Sequence, residues 1–145
     1  MRITEILKSK GSEVVTVAPE SSVRDLVRLL ADKRIGAVVV SSEGATVAGI
    51  VSERDVVRGL ADGVAILDQP VSAIMTGDVV TVEPHQTVHD LARLMTERRI
   101  RHVPVLDDGK LAGIVSIGDV VKSRIGELEF ERDQLESYVS GPATH

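Results

Sequence analysis

Two serine–aspartate pairs have the residue types and the spacing to do chemistry. The phrase GIVSERDVV, residues 49–57, returns as GIVSIGDVV, residues 113–121, and both copies keep a serine three residues before an aspartate. A serine followed three residues later by an acid is the pattern of a capping box, in which each side chain satisfies a backbone N–H group at a helix start. The aspartate can instead accept two hydroxyl groups of a sugar, since a carboxylate has two acceptor oxygens. Both interpretations are open at this point.

The residues between the serine and the aspartate differ in the two copies. The phrase lies where a strand runs into a helix, and a helix N-terminus favours anionic groups through its exposed N–H groups and dipole. Arg54, a side chain suited to phosphate, stands at this helix start in the first copy, and Gly118 replaces it in the second. We therefore expect two related sites that are not equivalent.

A longer internal repeat must position these pairs. Residues 14–57 align with residues 79–121 after one insertion near Thr46, and about half of the aligned positions are identical. Each copy reads as a short β-branched strand, a helix, two buried strands and a second helix. Ser22 and Thr87 stand where the N-caps of the long helices are expected. The segments SEGATV and DDGKL predict tight hairpin turns between the paired strands.

The repeat predicts an α+β fold built from two β-α-β-β-α units. One unit of about 60 residues buries little surface alone, so we expect two units to pack sheet against sheet about a pseudo-twofold axis, with two clefts at the seam. Upstream, residues 2–8 and 70–76 also correspond, and Thr4 and Ser72 are predicted to cap a short helix in each. The predicted boundaries are 1–61 for the first repeat with its N-terminal helix, 62–69 for a linker, 70–125 for the second repeat, and 126–145 for a C-terminal helix extension and tail.

The two repeats resemble cystathionine β-synthase (CBS) domains, and the chain resembles a free-standing CBS pair, or Bateman module. The resemblance covers roughly residues 2–125 and is carried by the signature G-h-x-[ST]-x-x-D, which occurs twice behind the β-α-β-β pattern. It implies clefts that bind adenosine nucleotides such as AMP, ADP, ATP or NAD(H), and in some members S-adenosylmethionine. The aspartates would hold ribose hydroxyls, the serines would lie beside ribose or phosphate, and the first strands and strand starts would line the adenine. The residues implied for the first cleft are Thr16, Gly36, Ala37, Val38, Ser52, Arg54 and Asp55, and those for the second are Thr81, Arg101, His102, Val103, Pro104, Ser116 and Asp119.

The resemblance implies a non-catalytic regulatory module that senses a nucleotide, for example in energy sensing, and signals to an unidentified partner protein by conformational change. The alternative is a protein-interaction scaffold with no physiological nucleotide. CBS pairs commonly form dimers, and an apolar stripe along residues 119–139 supports a homodimer with the tail helices contributing. The basic residues that follow the long helices are either solvated, dipole-complementing helix ends or a phosphate-facing rim; they are Lys33, Arg34, Arg98, Arg99 and Arg101.

Composition argues against several other classes of function. The net charge of −5 and the scarcity of aromatic residues, Phe130 and Tyr138 only, disfavour nucleic-acid binding. No nucleophile with a base and no paired acid and base is evident, so no catalysis and no catalytic cofactor are expected. His85 and His89 are four residues apart, but Thr87 between them is the predicted cap and no carboxylate or cysteine completes a metal set. The absence of cysteine, of a signal peptide and of a membrane span favours the cytoplasm.

Overall fold

The computed structural model describes residues 1–11 and 13–140. Its α+β architecture agrees with the prediction, and the last helix extends well beyond the second repeat, as expected. Two 3₁₀ helices, Val64–Asp68 and Val71–Ala73, lie in the segment between Leu60 and Val88. The regular elements are α1 (Ile3–Lys10), β1 (Thr16–Val17), α2 (Val23–Lys33), β2 (Ala37–Val40), β3 (Gly49–Ser52), α3 (Glu53–Leu60), α4 (Val88–Arg98), β4 (His102–Asp107), β5 (Lys110–Ser116) and α5 (Ile117–Ser140).

The two sheets differ in their first strand. In the first repeat β1 pairs in parallel with β2, which pairs antiparallel with β3. In the second repeat β4 and β5 pair antiparallel, and the strand predicted at 79–82 is reduced to a single parallel bridge between Val82 and Val105. Thr16 lies opposite Val39 in the first sheet, whereas the residue that aligns with Val39 is Pro104, which has no N–H to donate to a longer ladder.

The two hairpin predictions have different outcomes. The β4–β5 turn is tight, with Asp108 and Gly109 both at positive φ (52° and 78°), as a two-residue hairpin that matches the sheet twist requires. The β2–β3 connection is not a tight turn, because Val40 and Gly49 are the last paired residues and residues 41–48 form a wider loop. The hydroxyl of Ser41 accepts the N–H of Gly44 at 2.8 Å and so organises this loop by a side-chain contact.

Each repeat has its own hydrophobic core, and the short upstream segments are exchanged between them. The first core, around Leu26 and Val51, includes Val71 from the start of the second repeat. The second core, around Leu91, includes Ile3 and Ile6 from α1 at the N-terminus. The two repeats therefore each complete the core of the other.

The predicted caps at Thr4 and Ser72 are wrong. Thr4 lies inside α1, where its hydroxyl donates to the carbonyl of Pro84 at 2.9 Å and attaches the helix to the second repeat. Arg2 precedes the helix and makes no capping hydrogen bond with its side chain. Ser72 lies within the 3₁₀ turn Val71–Ala73. Both segments are set by long-range contacts, which a local capping pattern does not report.

The predicted caps of the repeat helices are confirmed. The hydroxyl of Ser22 accepts the N–H of Asp25 at the start of α2, and Thr87 does the same for Asp90 at the start of α4. These caps fix the helix starts, and the strands that follow the two helices begin at Ala37 and His102. The chain therefore enters β2 and β4 at equivalent places.

The apolar stripe predicted on the tail is exposed to solvent in this single chain. No helix in the described ranges is both long enough and apolar enough to cross a membrane. The stripe residues, all exposed on α5, are Val121, Ile125, Leu128, Leu135 and Val139.

Candidate functional site

A cleft of about 370 Å³, here called the first cleft, lies between the two repeats. The start of β2 and the junction of β3 with α3 contribute one side, and residues 99–102, between α4 and β4, contribute the other. Thr76, which pairs with Ile50 through the backbone, completes the lining. The volume lies in the range of small-molecule sites, roughly 300–1,000 Å³.

The Ser52–Asp55 pair forms a capping box and still presents an acceptor to this cleft. The N–H of Ser52 donates to Oδ2 of Asp55 at 2.8 Å, and the N–H of Asp55 donates to the Ser52 hydroxyl at 3.4 Å. The Ser52 hydroxyl also donates to Oδ2, at 3.1 Å. Oδ1 of Asp55 has no hydrogen-bond partner in the described part of the chain. The capping and binding interpretations are therefore compatible, since the box uses only one carboxylate oxygen.

Four arginine side chains line the first cleft. Arg54 and Arg58, one helical turn apart on α3, face Arg99 and Arg101 of the second repeat. None of these side chains makes an ion pair or a hydrogen bond with any residue in 1–11 or 13–140. The only carboxylates in the lining are Glu53 and Asp55. A concave surface with excess positive charge attracts anions.

The basic surface continues into a neighbouring hollow of about 440 Å³. Arg54, Arg99 and Arg101 line both cavities. Of the two interpretations of the basic residues after the long helices, the rim therefore fits Arg99 and Arg101. Lys33 and Arg98 line neither cavity, which agrees with solvated helix ends.

Gly36 and His102 meet where the two repeats join. A Cβ atom on Gly36 would lie 2.9 Å from Oε1 at the end of the flexible Glu53 side chain, and the Gly36 carbonyl accepts the N–H of Glu53 at 2.9 Å, which holds the start of α3 next to the start of β2. The same Cβ position is 3.9 Å from Nε2 of His102. Burial, followed by the charge of Lys10, lowers the pKa of His102 below its ordinary value, against a smaller opposing effect of Asp119. The lowered pKa favours the neutral imidazole, which has one donor and one acceptor nitrogen.

The Ser116–Asp119 pair repeats the box but has an extra partner. Oδ2 of Asp119 accepts the N–H of Ser116 at 2.8 Å, and the hydroxyl of Ser116 accepts the N–H of Asp119 at 3.2 Å. Nζ of Lys10 also donates to Oδ2 of Asp119 at 2.8 Å, and to the carbonyl of Ile114 at 2.7 Å. Burial raises the pKa of Asp119, but the hydrogen bonds from Lys10 and Ser116 outweigh it, and the pKa lies below its ordinary value.

The structure regroups the residues predicted for the two clefts. Those that line the first cleft are Gly36, Ala37, Ser52, Arg54 and Asp55, joined by Arg101 and His102, which were assigned to the second. Val38, Val103 and Pro104 are buried in the strands, and neither they nor Thr16 and Thr81 line the first cleft. The binding roles of all fourteen residues stay predictions.

Seven further residues line the first cleft beyond those predicted for binding: Ile50, Val51, Glu53, Arg58, Thr76, Arg99 and Ile100. Arg58 follows Arg54 by four residues, a spacing that places both on one helix face and was available in the sequence. Arg99 was noted only as a member of the basic group. Thr76 arrives through a backbone bridge to Ile50, for which the sequence has no signal.

His85 and His89, the pair considered as metal ligands, do not form a metal site with other described residues. Nδ1 of His85 lies 3.2 Å from Oε2 of Glu83, and His89 is in the first turn of α4 beyond the Thr87 cap. Within residues 1–11 and 13–140, no group of three or more His, Cys, Asp or Glu side chains is arranged to hold a metal ion.

Comparisons with known proteins agree with this architecture. The model of the CBS domain family matches residues 4–62 and 71–126. The mitochondrial CBS domain-containing protein CBSX3 of Arabidopsis thaliana is 35% identical over 148 residues, which cover 96% of this chain and 72% of that protein. A crystal structure of a CBS-domain protein of Agrobacterium tumefaciens has 46% identity and a TM-score of 0.81, covering 86% of this chain and 99% of that one. A crystal structure of CBSX2 in complex with AMP has 28% identity and a TM-score of 0.73, covering 86% of this chain and 96% of that one.

Proposed function

The chain belongs to the CBS domain family, and on that premise we propose that it is a non-catalytic regulatory module that binds an adenosine nucleotide in the first cleft. One observation carries this proposal. The first cleft combines a carboxylate with a free oxygen, Asp55, and four guanidinium groups that have no partner within the described residues. A ligand that joins a sugar diol to phosphate matches both features.

A nucleoside phosphate would use the cleft from one end to the other. The ribose hydroxyls would donate to Asp55, and the phosphate would lie near Arg54 at the N-terminus of α3, where helix dipole and side-chain charge act together. The base would contact Ile50 and Ala37, which offer an apolar surface with backbone polar groups nearby. The AMP complex of the relative CBSX2 supports an adenosine ligand for a chain of this fold.

The proposed regulation follows from the position of the cleft between the repeats. A ligand held by Asp55 of the first repeat and Arg101 of the second contacts both units, so its affinity depends on their relative pose. Binding then shifts the population of poses by the difference in affinity. The partner that reads this shift, and a homodimer formed through the exposed apolar stripe of α5, are parts of the same proposal.

Thermal unfolding with AMP, ADP, ATP, NAD, NADH and S-adenosylmethionine tests the proposal. A ligand at 100 times its Kd adds about 2.7 kcal/mol to the free energy of unfolding, which corresponds to a rise in midpoint of roughly 5–10 °C for a chain of this size. We expect such a rise with at least one of these ligands and its loss in Asp55→Asn. The absence of a rise with all six compounds would contradict the proposal.

The second candidate is the interaction scaffold, and the exposed stripe on α5 favours it, because five apolar residues stand in solvent on one chain. The two candidates separate in the unfolding experiment. A scaffold without a physiological nucleotide gives the same midpoint with and without every compound, both in the natural protein and in variants of the first cleft.

A further inference from the structure

Lys10 connects the N-terminal helix to the aspartate of the second repeat. It is the last residue of α1, and its ammonium group donates to Oδ2 of Asp119 at 2.8 Å and to the carbonyl of Ile114 at 2.7 Å. The two side chains are partly shielded from solvent, with 37% exposure for Lys10 and 21% for Asp119. The contact spans two elements far apart in sequence and is held at two points.

In the first repeat, Ile50 is the counterpart of Ile114, and its contact is different. The carbonyl and the N–H of Ile50 both pair with the backbone of Thr76, at 2.9 Å and 3.0 Å. The segment at the start of the second repeat ends its 3₁₀ turn at Ala73 and meets β3 through the backbone bridge at Thr76, whereas α1 continues to Lys10 and brings an ammonium group. Oδ1 has no hydrogen-bond partner among the described residues in either aspartate, so the two places differ in charge: Asp119 has a cationic partner, Lys10, and Asp55 has none.

We infer that Lys10 is a specificity-determining residue that closes the Ser116–Asp119 site to ribose, so that the chain takes one nucleotide, in the first cleft. This inference rests on the proposed function. A ribose diol at Asp119 would have to approach a carboxylate that is already paired with the ammonium group of Lys10, whereas Asp55 is bound only by Ser52. A diol could displace Lys10 only by breaking its bonds to both Asp119 and Ile114.

The environment of the ammonium group agrees with a position beside the Ser116–Asp119 pair, close to where the two repeats join. His102 belongs to the second repeat and lines the first cleft, and its pKa is lowered by Lys10 and raised by Asp119. The three side chains are therefore near one another at the seam. Asp55 shows that the box is stable without an ammonium group, since its own box is complete with Ser52 alone.

Calorimetric titration with AMP measures the number of sites. The variant Lys10→Met removes the ammonium group and keeps the aliphatic stem. The variant Lys8→Met, on the same helix, removes the same charge from a residue whose side chain makes no hydrogen bond or ion pair among the described residues. We expect one AMP per chain in the natural protein and in Lys8→Met, and two in Lys10→Met. The double variant Lys10→Met with Asp119→Asn should return to one, and circular dichroism checks that each variant is folded.

The possible outcomes separate this inference from the function on which it rests. Two AMP molecules bound to the natural protein, or one bound to Lys10→Met, would overturn the role of Lys10 and leave nucleotide binding intact. If AMP binds only to Lys10→Met, the role of Lys10 is supported and binding in the first cleft is contradicted. If AMP binds to none of the proteins, both are overturned. If Lys10→Met does not fold, Lys10→Gln is titrated in its place with the same expected counts.

Discussion

The variant Asp55→Asn tests the carboxylate of the first cleft directly. The amide oxygen of asparagine can still accept the N–H of Ser52, as Oδ2 of Asp55 does at 2.8 Å, but the amide NH₂ group cannot accept a ribose hydroxyl. A hydrogen bond to a charged group contributes about 1.5–3 kcal/mol, and one to two such bonds are lost. With a loss of about 2–4 kcal/mol, the Kd for AMP rises roughly 30- to 700-fold.

The control for this variant is Asp25→Asn. Asp25 occupies the same position in the cap of α2, where its N–H donates to Ser22 at 3.1 Å, but it lies outside the first cleft. Each substitution leaves the serine cap in place, so the free energy of unfolding should change by no more than about 1 kcal/mol in either variant. Asp25→Asn should bind AMP with unchanged affinity.

Calorimetric titration with AMP and 2′-deoxy-AMP forms a cycle for Asp55. The natural protein should bind the deoxy compound more weakly, because one hydroxyl is missing, and Asp55→Asn should bind the two compounds almost equally. The reasoning would be refuted if Asp55→Asn bound AMP within about threefold of the natural protein, a difference of less than 0.7 kcal/mol. It would also be refuted if the full preference for AMP over 2′-deoxy-AMP persisted in this variant.

Three further predictions concern stability. Burial, and then Lys10, lower the pKa of His102 below 6.5. The contribution of His102 to the free energy of unfolding should therefore be complete above pH 6.5 and decline as the pH falls through this value towards the folded pKa. Urea titrations at about pH 7.5 and 5.5 should show that His102→Asn loses this part of the pH dependence. A Cβ on Gly49 would lie 2.7 Å from the Thr76 carbonyl, so Gly49→Ala should lower the free energy of unfolding by about 1–3 kcal/mol, and an unchanged free energy would contradict the close approach. The control is Gly126→Ala on α5, where nothing lies within 4 Å of the added Cβ. This variant should raise the free energy of unfolding by up to about 1 kcal/mol. Ile3→Ala, at a side chain with 0% exposure, should cost about 2–5 kcal/mol, and an unchanged urea midpoint would show that α1 is not part of the core.

Sequence reasoning succeeded where the determining contacts are local. The caps at Ser22, Ser52 and Thr87 depend on residues three positions away, and the structure has them as predicted. The Asp108–Gly109 turn is likewise determined by two adjacent residues that tolerate positive φ. The repeat itself, with its helices and strands in order, follows from such local patterns applied twice.

The sequence did not predict features that depend on distant partners. Thr4 is a residue type that often caps helices, but its hydroxyl donates to the carbonyl of Pro84, eighty positions away. Thr76 and Lys10 reach their sites through tertiary contacts with Ile50 and Asp119, for which no short motif exists. The shortened strand in the second repeat was readable in principle, because Pro104 cannot donate to a ladder, but its consequence depends on which strand lies beside it.

The exchange of upstream segments between the two cores affects the order in which the chain can fold. Ile3 and Ile6 leave the ribosome before the second repeat does, yet the core they complete includes Leu91 and Val115, so α1 has no docking surface until most of the second repeat has been made. Contacts over such a separation carry a loop-closure cost and slow folding. The apolar face of α1 therefore stays exposed until the second repeat has been synthesised. Each repeat becomes stable only when the other is present.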